Sequence, residues 1–270
     1  MEKLLSGKKF YIGVDCEGVA CVVGEPGKGL GTGELYRFAT KEATREANAV
    51  AEALFELGAD EVVIWDNHYT GCNLDYDLLD PKVHIILGCG HRGRFPLLDE
   101  SFAGVMFIGY HARENTVNGV LAHTYSSEAY QYFKLNGQEV GEMQIDAAFA
   151  ALKDVPVILC VSDYCAIEQA KESFPWAETV VTKKGLSWTS AVSKHPQAVC
   201  EEIRAAVNRA AQRLEEMKCR RLLSPLEVEI RYKKMEDASE AKLMDQNGKP
   251  FARTDAFTRK GIMNSIEDLF

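Results

Sequence analysis

Strand-length apolar runs, each cut short by polar residues or glycine and separated by stretches of helical spacing, constrain this chain more than any other feature. Residues 9–14 (KFYIGV), 61–65 (EVVIW), 83–87, 104–109 (GVMFIG), 155–161 and 179–182 read as strands. Between them, residues 40–57 repeat Ala43, Ala47, Val50, Ala51 and Leu54 at helical spacing, with Gly58 as a natural stop. Further helices are expected at 142–153, 166–173 and 196–217. Strands alternating with helices predict an α/β fold with a mainly parallel central sheet flanked by helices. Three features interrupt the alternation. Residues 119–123 form a short apolar run, 131–140 read as a hairpin about Asn136-Gly137, and the pattern changes after Leu222. There a strand at 228–232, a charged stretch and a final helix near 258–269 predict a small C-terminal α+β extension. The division expected is a core at 1–221 and an extension at 222–270, with no linker separating them cleanly.

The strand ends carry the chemistry. Asp15 and Glu17 follow the first strand, His68 follows the second, and His111 follows the run ending at Gly109, while His123 closes the run 119–123. Open α/β sheets bind ligands outside the carboxyl ends of their strands, where side chains from several strands converge. Carboxylates and neutral imidazoles are oxygen and nitrogen ligands for Zn²⁺ or Mn²⁺. Asp15 and Glu17, two apart on an extended backbone, project to one side and repel unless a cation lies between them. Each feature alone has an ordinary explanation, a solvated turn or a hydrogen-bonded histidine. Their convergence at one sheet edge points to a metal or catalytic site.

The segments Gly13-Val-Asp-Cys-Glu-Gly18, Asp66-Asn-His68, Ile108-Gly-Tyr-His-Ala-Arg113, Gly119-Val-Leu-Ala-His123 and Val140-Gly-Glu142 occur in one order. In order and spacing over about residues 9–200 they resemble the motifs of the DppA-type D-aminopeptidases, self-compartmentalising binuclear zinc peptidases. The resemblance implies that Asp15, Glu17, His68, His111 and Glu142 ligate two zinc ions, Asp15 bridging them, with Mn or Co as alternative metals. It implies that His123 is catalytic and not a ligand. Three carboxylates against two Zn²⁺ leave one positive charge, room for a bridging hydroxide. Asp66 and Arg113 are candidates for orienting a ligand or holding substrate. The activity implied is hydrolysis of the amide bond of small peptides or amides with an N-terminal, D-configured residue. The assembly implied is a homo-oligomeric ring, a homodecamer. The same ligand types would serve a dimetal phosphoester hydrolase or a non-catalytic metal-binding assembly protein.

Composition narrows the partners. With 31 Lys+Arg against 40 Asp+Glu the net charge is −9, which argues against nucleic acid. No apolar run approaches the ~18 residues of a membrane span, and the first nine residues lack the apolar segment of a secretion signal, so a cytoplasmic protein is expected. The eight cysteines include no Cys-x-x-Cys pair and read as buried free thiols in a reducing compartment. The glycine-dense stretch 24–33 fits no phosphate-binding motif and reads as a flexible loop beside the first metal motif. Trp188 sits in a loop from which it would face substrate or a neighbouring subunit. Cys16, His84, His91 and His195 have structural explanations, and the charged run 233–242 reads as a solvated face.

Overall fold

The computed structural model describes residues 3–31 and 33–270. Its centre is a sheet of six parallel strands. They are β1 (Lys9–Val14), β2 (Glu61–Asp66), β3 (His84–Ile86), β4 (Phe102–Ile108), β7 (Val157–Ser162) and β8 (Glu178–Val181), in the order β3-β2-β1-β4-β7-β8. Chain direction across the sheet reverses between β1 and β4: strands added before them run one way and those after run the other. That reversal opens a crevice at the carboxyl ends of β1 and β4, where doubly wound sheets bind their ligands.

Both faces of the sheet are covered, which is why its strands are apolar at consecutive positions. On one face Phe10, Ile12 and Val14 pack with Ile64, Met106 and Ile108 beneath α1 (Glu34–Glu56) and α4 (Pro196–Gln212). On the other, Tyr11, Trp65 and Phe107 pack beneath α2 (Glu142–Leu152) and α3 (Tyr164–Ser173). Each fully buried side chain of this size contributes about 1.5–3 kcal/mol. Helix ends follow local chemistry. Asp163 caps α3 by accepting from Ala166 N at 3.2 Å, Pro196 opens α4 behind the His195 cap, and Gly58 at φ 98° follows the end of α1.

The hairpin at Asn136-Gly137 forms as expected. β5 (Tyr130–Leu135) pairs with β6 (Gln138–Val140), with φ of 49° and 78° at the two turn residues. The hairpin belongs to a second, antiparallel sheet, β12-β13-β11-β5-β6, built from β11 (Leu226–Tyr232), β12 (Ala252–Arg253) and β13 (Thr258–Met263). The segment after Leu222 therefore completes a sheet begun at residue 130, with Ile230 opposite Phe133. Residues 258–263 are strand and not the expected helix, since they pair along β11 from Leu226↔Met263 to Arg231↔Thr258. Only a short 3₁₀ turn, Ile266–Leu269, follows. The charged run after Lys233 contains α5 (Met235–Glu240), and β9 (Lys183–Ser187) and β10 (Ser190–Ser193) form a separate hairpin. All eight cysteines are free, but only Cys16 and Cys160 are buried; Cys21, Cys72 and Cys89 are exposed. No helix among the described residues is long and apolar enough to cross a membrane.

Candidate metal centre

Asp15 leaves the end of β1 with its N–H donating to Ile108 O at 2.8 Å, so the ends of β1 and β4 are locked together directly below the crevice. Gly18 N donates to Gly109 O at 2.7 Å, which makes residues 15–18 a tight turn against 109–110. Lys183, 2% exposed, donates from Nζ to the carbonyls of Glu17 and Val19, and Thr182 Oγ1 donates to Gly18 O at 2.6 Å. The turn bearing both carboxylates is thus held from below and from the side. Burial pushes Lys183 down to about 8 against the opposing charges of Asp163 and Glu46.

The other three ligand candidates and His123 converge from four further segments. His68 Nδ1 is 2.8 Å from Asp15 Oδ1 and 3.4 Å from Glu17 Oε2. His111 Nε2 is 3.6 Å from Asp15 Oδ2 and 3.2 Å from Glu142 Oε1. His123 stacks on His111 at 3.9 Å between ring centroids, with its Nε2 3.9 Å from Glu142 Oε1. Glu142 opens α2 and accepts from Tyr125 N at 2.8 Å. Asp15, Glu17, His111 and Glu142 are all buried. Asp15, Glu17 and His111 offer ligand atoms within 4.8 Å of one another, as do His111, His123 and Glu142. His111 belongs to both sets. A cavity of about 850 Å³ opens above them, with Asp15, His68, His123 and Glu142 in its lining.

The donor set fits a cation by three tests. Glu17 Oε2 is buried without a hydrogen-bond partner, and a buried unsatisfied carboxylate oxygen is costly unless a positive charge faces it. The Nδ1 of His111 lies 3.0 Å from Ala112 O and that of His123 2.8 Å from Leu121 O, which leaves each Nε2 aimed at the cluster as the free nitrogen. Protons alone hold the cluster only under strain. Burial and the charge of Glu17 push Asp15 up to about 7. Burial works to lower His111, yet Glu142 and Asp15 push it up to about 10. Burial and the charge of His111 lower His123. A bound dication would replace those shared protons with a fixed positive charge.

The two further candidates separate. Asp66 accepts from Asn73 N at 2.5 Å, Asn73 Nδ2 at 2.7 Å and Leu74 N at 3.0 Å, and Asn73 Nδ2 also donates to His68 O. It shapes the loop that presents His68. Arg113 lies outside the cluster, its Nε 3.8 Å from Glu139 in a different cavity with Gln138 and Gln144. Residues 119–123 are a loop and not a strand, with Leu121 at φ 53°. Trp188 braces that loop, donating from Nε1 to Ala122 O at 3.1 Å and accepting from Leu121 N at 2.8 Å. Sequence reasoning passed over Arg94, Asp146, Tyr110 and Lys183. An aspartate inside the alanine-rich run of α2, four residues after Glu142, was the one available signal.

Comparison with known proteins identifies the family and the fold. A family model described as D-aminopeptidase matches residues 8–269, the segment after Leu222 included. A D-aminopeptidase of Bacillus subtilis (strain 168) is 32% identical over 182 residues, 66% of this chain. The aligned part spans 65% of that relative's own length. A solved structure described as the Zn-dependent D-aminopeptidase DppA from Bacillus subtilis, a self-compartmentalizing protease, is similar with a TM-score of 0.87 and 26% identity. The similarity covers 96% of this chain and 93% of that one.

Proposed function

From the premise that this chain belongs to the D-aminopeptidase family, we propose that it hydrolyses the amide bond following an N-terminal, D-configured residue of small peptides or amides at a binuclear zinc site. The observation that carries the reading is the convergence of three buried carboxylates and three imidazoles at the switch point, with Glu17 Oε2 left without a hydrogen bond. Asp15, Glu17, His68, His111 and Glu142 would hold the metals; the two oxygens of Asp15 face His68 and His111 separately. Zinc bound there supplies a water acidified toward neutral pH and polarises the scissile carbonyl.

The protein's own groups do the rest. Leu121 O fixes the ring of His123, so its Nε2 points into the cavity beside Glu142. That nitrogen takes the proton released by the attacking water and returns it to the leaving amine, so no free amide anion forms. The short loop 119–123, held by Trp188, keeps the imidazole in place through the cycle. By likeness to a self-compartmentalizing protease, the chain assembles into a closed homo-oligomeric ring that admits only short substrates. Zinc-loaded protein should hydrolyse D-alaninamide faster than L-alaninamide, lose the activity on chelation and regain it with zinc. Equal rates on both enantiomers would overturn the stereochemical part, and activity indifferent to chelation the metal part.

A further inference from the structure

Arg94 is placed unlike any other arginine among the described residues. Its loop brings it over α2, where Nε and Nη2 donate to Asp146 Oδ1 and Oδ2, each at 2.7 Å. Asp146 is fully buried and also accepts from Tyr110 OH at 2.6 Å. The guanidinium stacks 4.6 Å from the Trp65 ring centroid and 5.6 Å from that of Tyr125. Two of its five N–H groups go to Asp146, and Nη1 has no protein acceptor among the described residues. Nη1 is not sealed off either, since the side chain keeps 14% exposure and lines the wall of the cavity above the metal cluster. One edge of the fork is fixed by Asp146, and the side chain lines both this cavity and a neighbouring one bounded by Trp65, His91 and Phe270.

The free edge of the fork suits one kind of ligand. Asp146 lies four residues after Glu142 on α2, so the two share a face one turn apart, about 5–6 Å between Cβ atoms. One extended residue beyond a scissile bond at the metals spans about 3.5 Å, and a hydrogen bond adds about 2.9 Å. Arg94 lines the same cavity as Asp15, His68, His123 and Glu142, and planar bidentate capture of a carboxylate held in that cavity is what its free edge offers. We propose that Arg94 is a specificity-determining residue that binds the C-terminal carboxylate of the leaving residue, so that dipeptides with a free carboxyl end are the preferred substrates. This rests on the peptidase reading of the neighbouring cluster.

The test compares D-alanyl-D-alanine with its C-terminal amide, in the wild-type protein and in Arg94→Lys. Lysine keeps a cation against Asp146 but lacks the second edge. The double variant Arg94→Gln/Asp146→Asn removes both charges together and covers the case in which Arg94→Lys misfolds. In the wild type kcat/KM should favour the free acid by roughly 10- to 100-fold, mainly through KM, and both variants should cut that ratio at least fivefold. Calorimetric titration of the same two peptides onto His123→Ala, with and without Arg94→Lys, reads the preference without turnover. Turnover of both peptides with no preference, or a preference that the variants leave intact, overturns the role of Arg94 while the peptidase stands. Binding preference abolished by Arg94→Lys without turnover of either peptide supports Arg94 and overturns the peptidase reading instead.

Discussion

Gly18 is the position where a single methyl group should unmake the centre. A Cβ built there lies 2.1 Å from Tyr110 O, 2.6 Å from Ser162 Oγ and 2.8 Å from Gly109 C. The first and last are main chain, and Ser162 Oγ is itself hydrogen-bonded to Tyr110 O, so no side chain can swing away. Relief to ordinary van der Waals contact needs at least about 1.3 Å of separation between the 15–18 turn and the backbone at 109–110. Glu17 precedes Gly18 and His111 follows Tyr110, so the displacement enters the ligand set directly. Metal sites accept ligand distances within about ±0.2 Å. Gly18→Ala should lower stability by about 1–3 kcal/mol through overpacking, read by urea denaturation of the zinc-free protein. It should weaken zinc by at least tenfold in chelator competition, and cut kcat/KM on D-alanyl amides by about 100-fold. Gly90→Ala, whose Cβ would meet nothing within 4 Å, serves as the control and should change none of these. Wild-type stability and zinc retention in Gly18→Ala would refute the claim that the turn is packed against the His111 segment.

Two further variants probe the groups around the centre. Glu46 is buried on α1, accepts from Ala20 N at 2.8 Å, and is pushed up to about 8, chiefly by burial. The folded chain keeps a proton that the unfolded chain gives up above about 4.5, so stability falls as pH rises toward 8; Glu46→Gln should escape this and gain roughly 3 kcal/mol on wild type between pH 5 and 8, and a Tm difference that does not change with pH contradicts it. Tyr110→Phe deletes a buried hydroxyl that donates to Asp146 and accepts from Asn67 Nδ2 at 3.1 Å, and should cost about 1.5–3 kcal/mol in urea denaturation; a loss under 0.5 kcal/mol would show that water replaces the hydroxyl.

What could be read from the sequence follows from where each interaction partner lies. The strands of the central sheet were legible because burial on both faces writes itself as consecutive apolar residues, and the residues just beyond them, Asp15, His68 and His111, fall at the sheet edge for the same reason. Residues 119–123 misled because Val120 and Leu121 are apolar from burial against the core, while Leu121 takes a positive φ that no strand adopts. Residues 258–263 carry no strand pattern of their own; pairing with β11, itself laid along β5, decides their state. Arg94 and Asp146 are 52 residues apart, and nothing local in either stretch announces their ion pair. Arg113 stands beside the His111 motif in sequence, but its Nε lies toward Glu139 and away from the cluster.

Asp15 and its neighbours are expected to hold two zinc ions while His123 moves protons without holding metal. Elemental analysis of purified wild type, Asp15→Ala and His123→Ala, each paired with hydrolysis of D- and L-alaninamide, tests it most directly. The expected result is about two zinc per chain in wild type and in an inactive His123→Ala, with Asp15→Ala depleted of metal and inactive. Wild type that neither binds nor is activated by Zn²⁺, Mn²⁺ or Co²⁺, or His123→Ala that loses zinc as fully as Asp15→Ala, would contradict it.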